Sequence, residues 1–224
     1  MLTAILPASG SASRMGGLPK FLLPSPINSL SILGRHLQEL KKLVDQIVIP
    51  VNPLYEQLLH VSQIDCDNVK IFPLSTQTMS ETILKTTYKY KSERILMVMP
   101  DTFFRGDLPY SQLVENKAPM NLAVWKIRED QMGKLGQVNI SETSTVIDVQ
   151  DKSMGCEYPY AWGAMSMDRK FLEYLDPKTA HIGFLIPELL KAKIEVKATV
   201  VNGEYYDCGT PTEYIRMIRE SAHD

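Results

Sequence analysis

The chain has little cysteine. Cys66, Cys156 and Cys208 stand far apart, form no C-x-x-C pair and leave an odd thiol. That argues against a disulfide scaffold and a Cys-rich zinc site, and it suits a reducing cytoplasm. Charge of one sign is not in excess: 24 Lys and Arg against 26 Asp and Glu give a formal net charge of −2. A nucleic-acid-binding surface normally carries a basic excess, so no nucleic-acid partner is expected. A small cationic site for phosphates stays open. No apolar run approaches the roughly 18 residues of a membrane span, so no membrane partner is expected. Met1–Leu6 has no basic leader and does not read as a signal peptide. Fixed-period repeats, low-complexity tracts and a Pro-, Gly- or Ser-rich linker are also missing.

What remains is an ordinary globular composition: 224 residues, 44% hydrophobic and 22% charged. At about 150 residues per domain, one large domain or two small ones fit. Such a chain buries about 70–75% of its unfolded surface without a staple. Several of the eleven methionines, Met97 and Met99 among them, sit in apolar runs and read as core filling.

Strands and helices alternate through the first half. Leu2–Leu6 is a short apolar run ended by Pro7 and Gly10, the pattern of a strand. Ser31–Val44 places Ile32, Leu33, His36, Leu37, Leu40 and Leu43 on one helical face. Gln46–Val51 and Val69–Phe72 read as strands, with Leu54–Ser62 a helix between them. Thr78-Met79-Ser80-Glu81 has the form of a capping box, opening a helix to about Lys91. Arg94–Met99 is nearly all apolar, as a strand covered on both faces should be.

The second half changes character. Leu122–Ile127, Gly136–Ile140, Thr145–Val149 and Ala161–Met167 are strands without intervening helices. Helices at Arg169–Leu175 and Ile182–Lys191, a strand at Ile194–Val201 and a capped helix from Thr210-Pro211 complete the chain. The pattern predicts an α/β fold: a single Rossmann-like three-layer α/β/α domain over residues 1–224 with a mixed, mainly parallel sheet. Its antiparallel part begins near residue 120.

The loop after the first strand is the most informative segment. Small residues fill it: Ala8, Ser9, Gly10, Ser11, Ala12 and Ser13. Such a loop lets backbone N–H groups approach an anion without obstruction. Arg14 and Lys20 add two cations, a combination suited to a polyphosphate. A flexible surface loop with two solvated cations is the plainer alternative. The Walker A pattern fails, because Lys20 follows Pro19 and precedes Phe21. The dinucleotide fingerprint fails as well, since Gly16, Gly17 and Pro19 interrupt the helix it needs.

Leu6–Lys20 resembles the signature loop of the nucleotidylyltransferases: a strand, a small-residue loop, Arg14-Met15, then Pro19-Lys20. Ser9 stands where that family usually has Ala or Gly, and Ala12 where a second Gly is usual.

Two carboxylates extend the pattern. Asp101 follows the strand Arg94–Met99 through Pro100, at the edge where open α/β sheets bind ligands. Asp207 precedes Cys208-Gly209-Thr210-Pro211 and a capped helix. Alone, each is open to reading as turn chemistry. Together, Met99-Pro100-Asp101 and Tyr206-Asp207-Cys208-Gly209-Thr210-Pro211 resemble the metal motifs of the sugar-1-phosphate nucleotidylyltransferases. The resemblance implies their GT-A-like fold, with Asp101 and Asp207 binding one Mg²⁺. Asp101-Thr102-Phe103 lacks the Asp-x-Asp that a glycosyltransferase of related fold would need.

The resemblance continues into the middle of the chain. Lys134–Val138, with Gly136, and Asp151-Lys152-Ser153 are similar to that family's Gly-containing strand and its Glu-Lys-Pro segment. Tyr160–Ala164, with Trp162 and Gly163, is similar to its sugar-side strand. It implies Lys152 on the sugar phosphate and Gly163 beneath the sugar. Residues 1–120 become the nucleotide-binding half and 121–224 the sugar-phosphate-binding half. The base would be read near Gln77, Thr78 and Ser80, where Gln77 offers both a donor and an acceptor.

The implied partners are a nucleoside triphosphate and a sugar 1-phosphate, with release of pyrophosphate; a homo-oligomer is left open. Arg14 and Lys20 would be catalytic. Two further readings compete. One is an inactive nucleotide-binding homologue, prompted by Ser9, Ala12, Thr78 and Ser153. The other is a cytidylyl- or guanylyltransferase acting on a non-sugar phosphate.

Overall fold

The three-dimensional structure is a computed structural model, described for residues 1–27, 30–61 and 67–221. Ser62, the expected end of a helix, and Cys66 lie outside these residues.

Four parallel strands form the first half of the main sheet. They are β1 (Leu2–Ile5), β2 (Gln46–Val51), β3 (Val69–Pro73) and β4 (Arg94–Val98). β1 pairs with β2 on one side and β4 on the other, and β3 lies outside β2. The intervening helices are α1 (Ile32–Leu40), α2 (Glu56–Val61) and α3 (Met79–Lys89).

Alternation along the central strands feeds two cores. Ala4, Leu96 and Val98 pack with Leu33, Leu37 and Leu40 of α1. Ile5, Ile95 and Met97 pack on the other face with Ile83 of α3. Both faces are covered, which explains why these strands are continuous apolar runs.

Local chemistry sets the helix ends. The Ser31 hydroxyl caps α1 by accepting from Gly34 N at 3.0 Å. That helix stops at Leu40, short of Val44, in turns through residues 41–43. Thr78 caps α3, its hydroxyl accepting from Glu81 N at 3.0 Å. The Glu81 carboxylate accepts from Gln77 N at 2.8 Å, one residue before the expected partner. Pro53–Tyr55 is a 3-10 turn leading into α2.

After β4 come β5 (Thr102–Arg105) and α4 (Tyr110–Glu115), neither of which the periodicity predicts. Then follow β6 (Met120–Lys126), β7 (Gly136–Ile140), β8 (Val146–Asp151) and β9 (Tyr160–Asp168). The chain ends with α5 (Leu185–Lys191), β10 (Val196–Val200), β11 (Glu204–Asp207) and α6 (Pro211–Ser221).

The sheet has nine strands, with the row β10-β6-β9-β4-β1-β2-β3 and β7 and β8 branching from β9. β9 runs antiparallel to β4 and β6, so one reversed strand joins the two halves. Arg169–Tyr174, expected as an α-helix, is a 3-10 turn, and Ile182–Phe184 is another before α5. Among the described residues no helix is long and apolar enough to cross a membrane.

A second, two-stranded sheet pairs β5 with β11 antiparallel and sets Asp207 opposite Thr102. Strand order reverses between β1 and β4, because the chain builds outward through β2 and β3 and then returns to β1's other side. The C-terminal ends of these two strands open the crevice in which α/β folds bind ligands.

Candidate functional site: a cleft at the strand-order reversal

The loop leaving β1 is held from below. Ala8 N donates to Pro50 O at 2.8 Å, and Asn52 Nδ2 donates to Ser9 O at 3.2 Å. The Ser9 hydroxyl joins a trio with Thr82 Oγ1 at 2.8 Å and Thr76 Oγ1 at 3.3 Å. The tyrosyl OH of Tyr55 donates to Ser11 O and Gly17 O at 2.9 and 2.8 Å. Ala12 takes a left-handed conformation with φ 50°, and a 3-10 turn over Ser13–Met15 follows. Among the described residues, no hydrogen bond within the protein engages the backbone N–H groups of residues 9 to 14. Consecutive free amides around a left-handed residue make an anion-binding concavity.

Arg14 and Lys20 flank this loop. Arg14 is exposed, whereas Lys20 is largely buried and sets Nζ 3.4 Å from Asp101 Oδ2. Asp101 follows β4, and Asp207 arrives from the other end of the chain on β11. Cys208 N donates to Asp101 O at 3.1 Å and fastens the two segments together. Gly209 leaves room for the second acid: a Cβ there would lie 2.9 Å from Asp207 Oδ1. Burial pushes the Asp207 carboxyl above its usual range and the nearby Asp101 charge adds to this, while Lys20 and Arg14 oppose both.

Two adjoining pockets open from here. The first is lined by Pro7–Gly10, Ala12, Arg14, Lys20, Gln77, Thr78, Pro100 and Asp101. The second is lined by Lys134, Gly136, Asp151, Lys152, Trp162, Gly163, His181, Tyr205 and Asp207. Arg14 and Asp101 belong to both.

Around α3, Gln77 is exposed in the first pocket, and the Thr78 hydroxyl donates to Pro177 O at 2.6 Å. Ser80 faces away: it is fully buried, with its hydroxyl 2.8 Å from that of Thr179. Ser11 and Ser13 are loop-surface residues outside the pocket lining.

In the second pocket the glycines serve packing. A Cβ on Gly163 would come within 2.5 Å of Trp125 and 2.6 Å of Tyr205, whose rings stack with centroids 3.7 Å apart. A Cβ on Gly136 would collide with the Trp162 indole. The tertiary structure thus assigns Gly163 a packing reason in addition to the sugar-side role implied by resemblance. Lys152 is exposed and left-handed, φ 48°, with its N–H donated to Leu135 O at 3.2 Å.

Sequence reading missed several residues that shape the cleft. Tyr55, Asn52, Thr76 and Thr82 carry no local signature, because their function is to brace a loop tens of residues away. His181 also escaped it, and Lys134 entered only as the start of the Gly136 motif. Asp151 was read only as part of the segment with Lys152, with no partner assigned to it.

Amides free for phosphates on one side, and paired acids bordering a second pocket, are the requirements of nucleotidyl transfer. Fold and cleft together place the chain among the nucleotidyltransferases. Residues 4–151 match the family model of the MobA-like NTP transferase domain, and the chain belongs to that family.

Solved structures share the fold over nearly the whole chain. A protein from Bacillus anthracis described as a glucose-1-phosphate thymidylyltransferase aligns with TM-score 0.81 and 18% identity, covering 100% of this chain and 96% of that one. An inositol-1-phosphate CTP transferase from T. maritima aligns with TM-score 0.78 and 16% identity, covering 99% and 96%. A UDP-glucose pyrophosphorylase complexed with UDP-glucose aligns with TM-score 0.79 and 14% identity, covering 98% of each chain. No curated protein matches the chain in sequence.

Proposed function

We propose that the protein couples a nucleoside triphosphate to a sugar 1-phosphate, releasing pyrophosphate and a nucleoside diphosphate sugar. The observation that carries this reading is that Asp101 lines both pockets, with the loop of free amides in the first and Asp207 in the second. We read residues 1–224 as one catalytic unit working in a reducing cytoplasm, with Cys156 and Cys208 as buried free thiols.

The donor set suits Mg²⁺. Asp101 and Asp207 bring two hard carboxylates to the lining of one pocket, and among the described residues no group of three or more His, Cys, Asp or Glu could hold a metal ion by itself. Mg²⁺ is usually held by one or two carboxylates together with substrate phosphates. Bound by Asp101 and Asp207, it would supply Lewis-acid polarisation of the α-phosphate.

This chain's own groups do the rest. The amides of residues 9 to 14 hold the triphosphate. Arg14 and Lys20 neutralise the charge that develops as the acceptor phosphate oxygen attacks the α-phosphorus and pyrophosphate leaves. Lys152 steadies the acceptor phosphate. Little covalent chemistry is asked of the protein, so positioning and charge carry the rate.

Removing one charged transition-state contact costs about 3–4 kcal/mol, or about 10²–10³ in rate. Lys20→Ala and Asp207→Ala are therefore expected to lose at least about 100-fold in Mg²⁺-dependent pyrophosphate release while remaining folded. Near wild-type release in either variant would falsify the assignment.

A further inference from the structure

The second pocket holds a pair that this mechanism does not use. His181 sets Nε2 2.5 Å from Oδ2 of Asp151, the last residue of β8. Both side chains are mostly buried, 14% and 11% exposed, and both line the pocket beside Lys152. A carboxylate only accepts, so Nε2 carries the hydrogen, and in the neutral ring Nδ1 keeps a free lone pair. Among the described residues, no hydrogen bond within the protein engages Nδ1. Gly183 lies beside that edge and leaves it space, since a Cβ there would lie 3.1 Å from Nδ1.

The imidazole is held in place from two directions. Its ring packs on Phe184, with centroids 4.7 Å apart. The backbone before it is tied to the start of α3. Met79 N donates to Ala180 O at 3.1 Å, the Thr78 hydroxyl to Pro177 O at 2.6 Å, and the Ser80 and Thr179 hydroxyls lie 2.8 Å apart. An imidazole fixed in this way is preorganised to read a substrate group.

Charge narrows the class of substrate. Arg14, Lys134 and Lys152 line the pocket, and no ion pair engages any of them among the described residues. Asp101 and Asp207 face the metal position, and Asp151 is taken by His181. With Arg14 and Lys152 on the phosphates, an acceptor with a cationic head would meet Lys134 and no free carboxylate. One bearing hydroxyls would meet Nδ1.

We propose that His181, oriented by Asp151, is the specificity residue of the acceptor pocket. Its Nδ1 accepts a hydrogen bond from an acceptor hydroxyl. The pocket thereby takes a polyol phosphate, a sugar or cyclitol 1-phosphate, and rejects phosphorylated cationic alcohols. The inference rests on the transferase reading above and names the part of the acceptor that is read.

The test measures initial rates of pyrophosphate release with Mg²⁺. Each common nucleoside triphosphate is paired with glucose 1-phosphate, myo-inositol 1-phosphate or phosphocholine. Wild type is compared with His181→Gln, which keeps an amide donor for Asp151 but lacks Nδ1, and with His181→Ala. The expected result is turnover of a polyol phosphate and none of phosphocholine. His181→Gln should raise the KM for the acceptor about 3- to 10-fold, the worth of one hydrogen bond, and leave the nucleotide KM unchanged. His181→Ala should raise the acceptor KM further, because Asp151 is also released. A merely structural histidine would move both KM values together, and that outcome overturns the proposal. So does an unchanged acceptor KM in His181→Gln, or preferred turnover of phosphocholine, each of which leaves the transferase reading standing. Absence of turnover with every pair overturns both.

Discussion

Ala12 shows a left-handed conformation carried by a residue other than glycine. Its φ of 50° lies where L-residues are strained and glycine is at ease. The left-handed region costs an L-residue about 1–2 kcal/mol. Glycine removes that strain but costs about 0.5–1 kcal/mol in chain entropy. Ala12→Gly should therefore leave stability within about 1 kcal/mol of wild type, with nucleotide affinity kept. Ala12→Val, β-branched at the same φ, should lower the melting temperature and weaken nucleotide binding. Thermal unfolding with and without nucleoside triphosphate measures both, and a Val variant that behaves as wild type would show that the loop does not need this conformation. The departure at Ser9 has a physical reason too, since its hydroxyl completes the trio with Thr76 and Thr82. The positions of small loop residues, both cations and both acids were legible in the sequence. The partners of Ser9 were not, for they lie 67 and 73 residues away.

At the scale of elements, the readable ones carry a helical stripe or a continuous apolar run. α1 and α3 repeat a buried face every turn, and the strands β1, β2 and β4 are apolar because both their faces are covered. β5, β11 and α4 were not read from the sequence. β5 and β11 have 4 residues each and exist by pairing with one another across the chain. α4 has 6 residues, with Tyr110 and Leu113 buried. Arg169–Tyr174 has helical spacing but closes as a 3-10 turn, since tertiary context overrides a weak propensity. Elements also carry the cleft's rigidity. The α2 approach turn contributes Tyr55, whose OH bridges two carbonyls of the loop after β1. Tyr55→Phe keeps the ring but removes this shared hydrogen bond, worth about 1 kcal/mol. The expected result is a dissociation constant for nucleoside triphosphate weakened about 3- to 10-fold, read by calorimetry. Unchanged affinity would mean that the loop is held by Asn52 and the Ser9 trio alone.

At the scale of the whole molecule, a buried polar link joins α1, α4 and the β5–β11 sheet. His36 is 1% exposed; its Nε2 donates to Thr102 O at 2.8 Å and its Nδ1 accepts from Tyr110 OH at 2.6 Å. Burial lowers its pKa to about 4 from an ordinary value of 6.5. As pH falls below 6.5 the unfolded chain takes up this proton first, so stability is lost until the folded group protonates near 4. The loss should reach about 3 kcal/mol. Urea unfolding at pH 7 and pH 4.5 should show a steeper decline for wild type than for His36→Gln, whereas parallel declines would mean that His36 is not buried neutral. The same scale separates what each level of description decides. The sequence by itself determined the α/β class, the small-residue loop after β1 and the two candidate acids. Local periodicity, turn chemistry and strand-end position are short-range properties. Only the tertiary structure decided that Asp207 meets Asp101, that Gly163 and Gly136 make room for aromatic rings, and that Asp151 is turned toward His181. These depend on non-local strand pairing and close packing, which join residues tens to over a hundred positions apart and leave no mark in their neighbours along the chain.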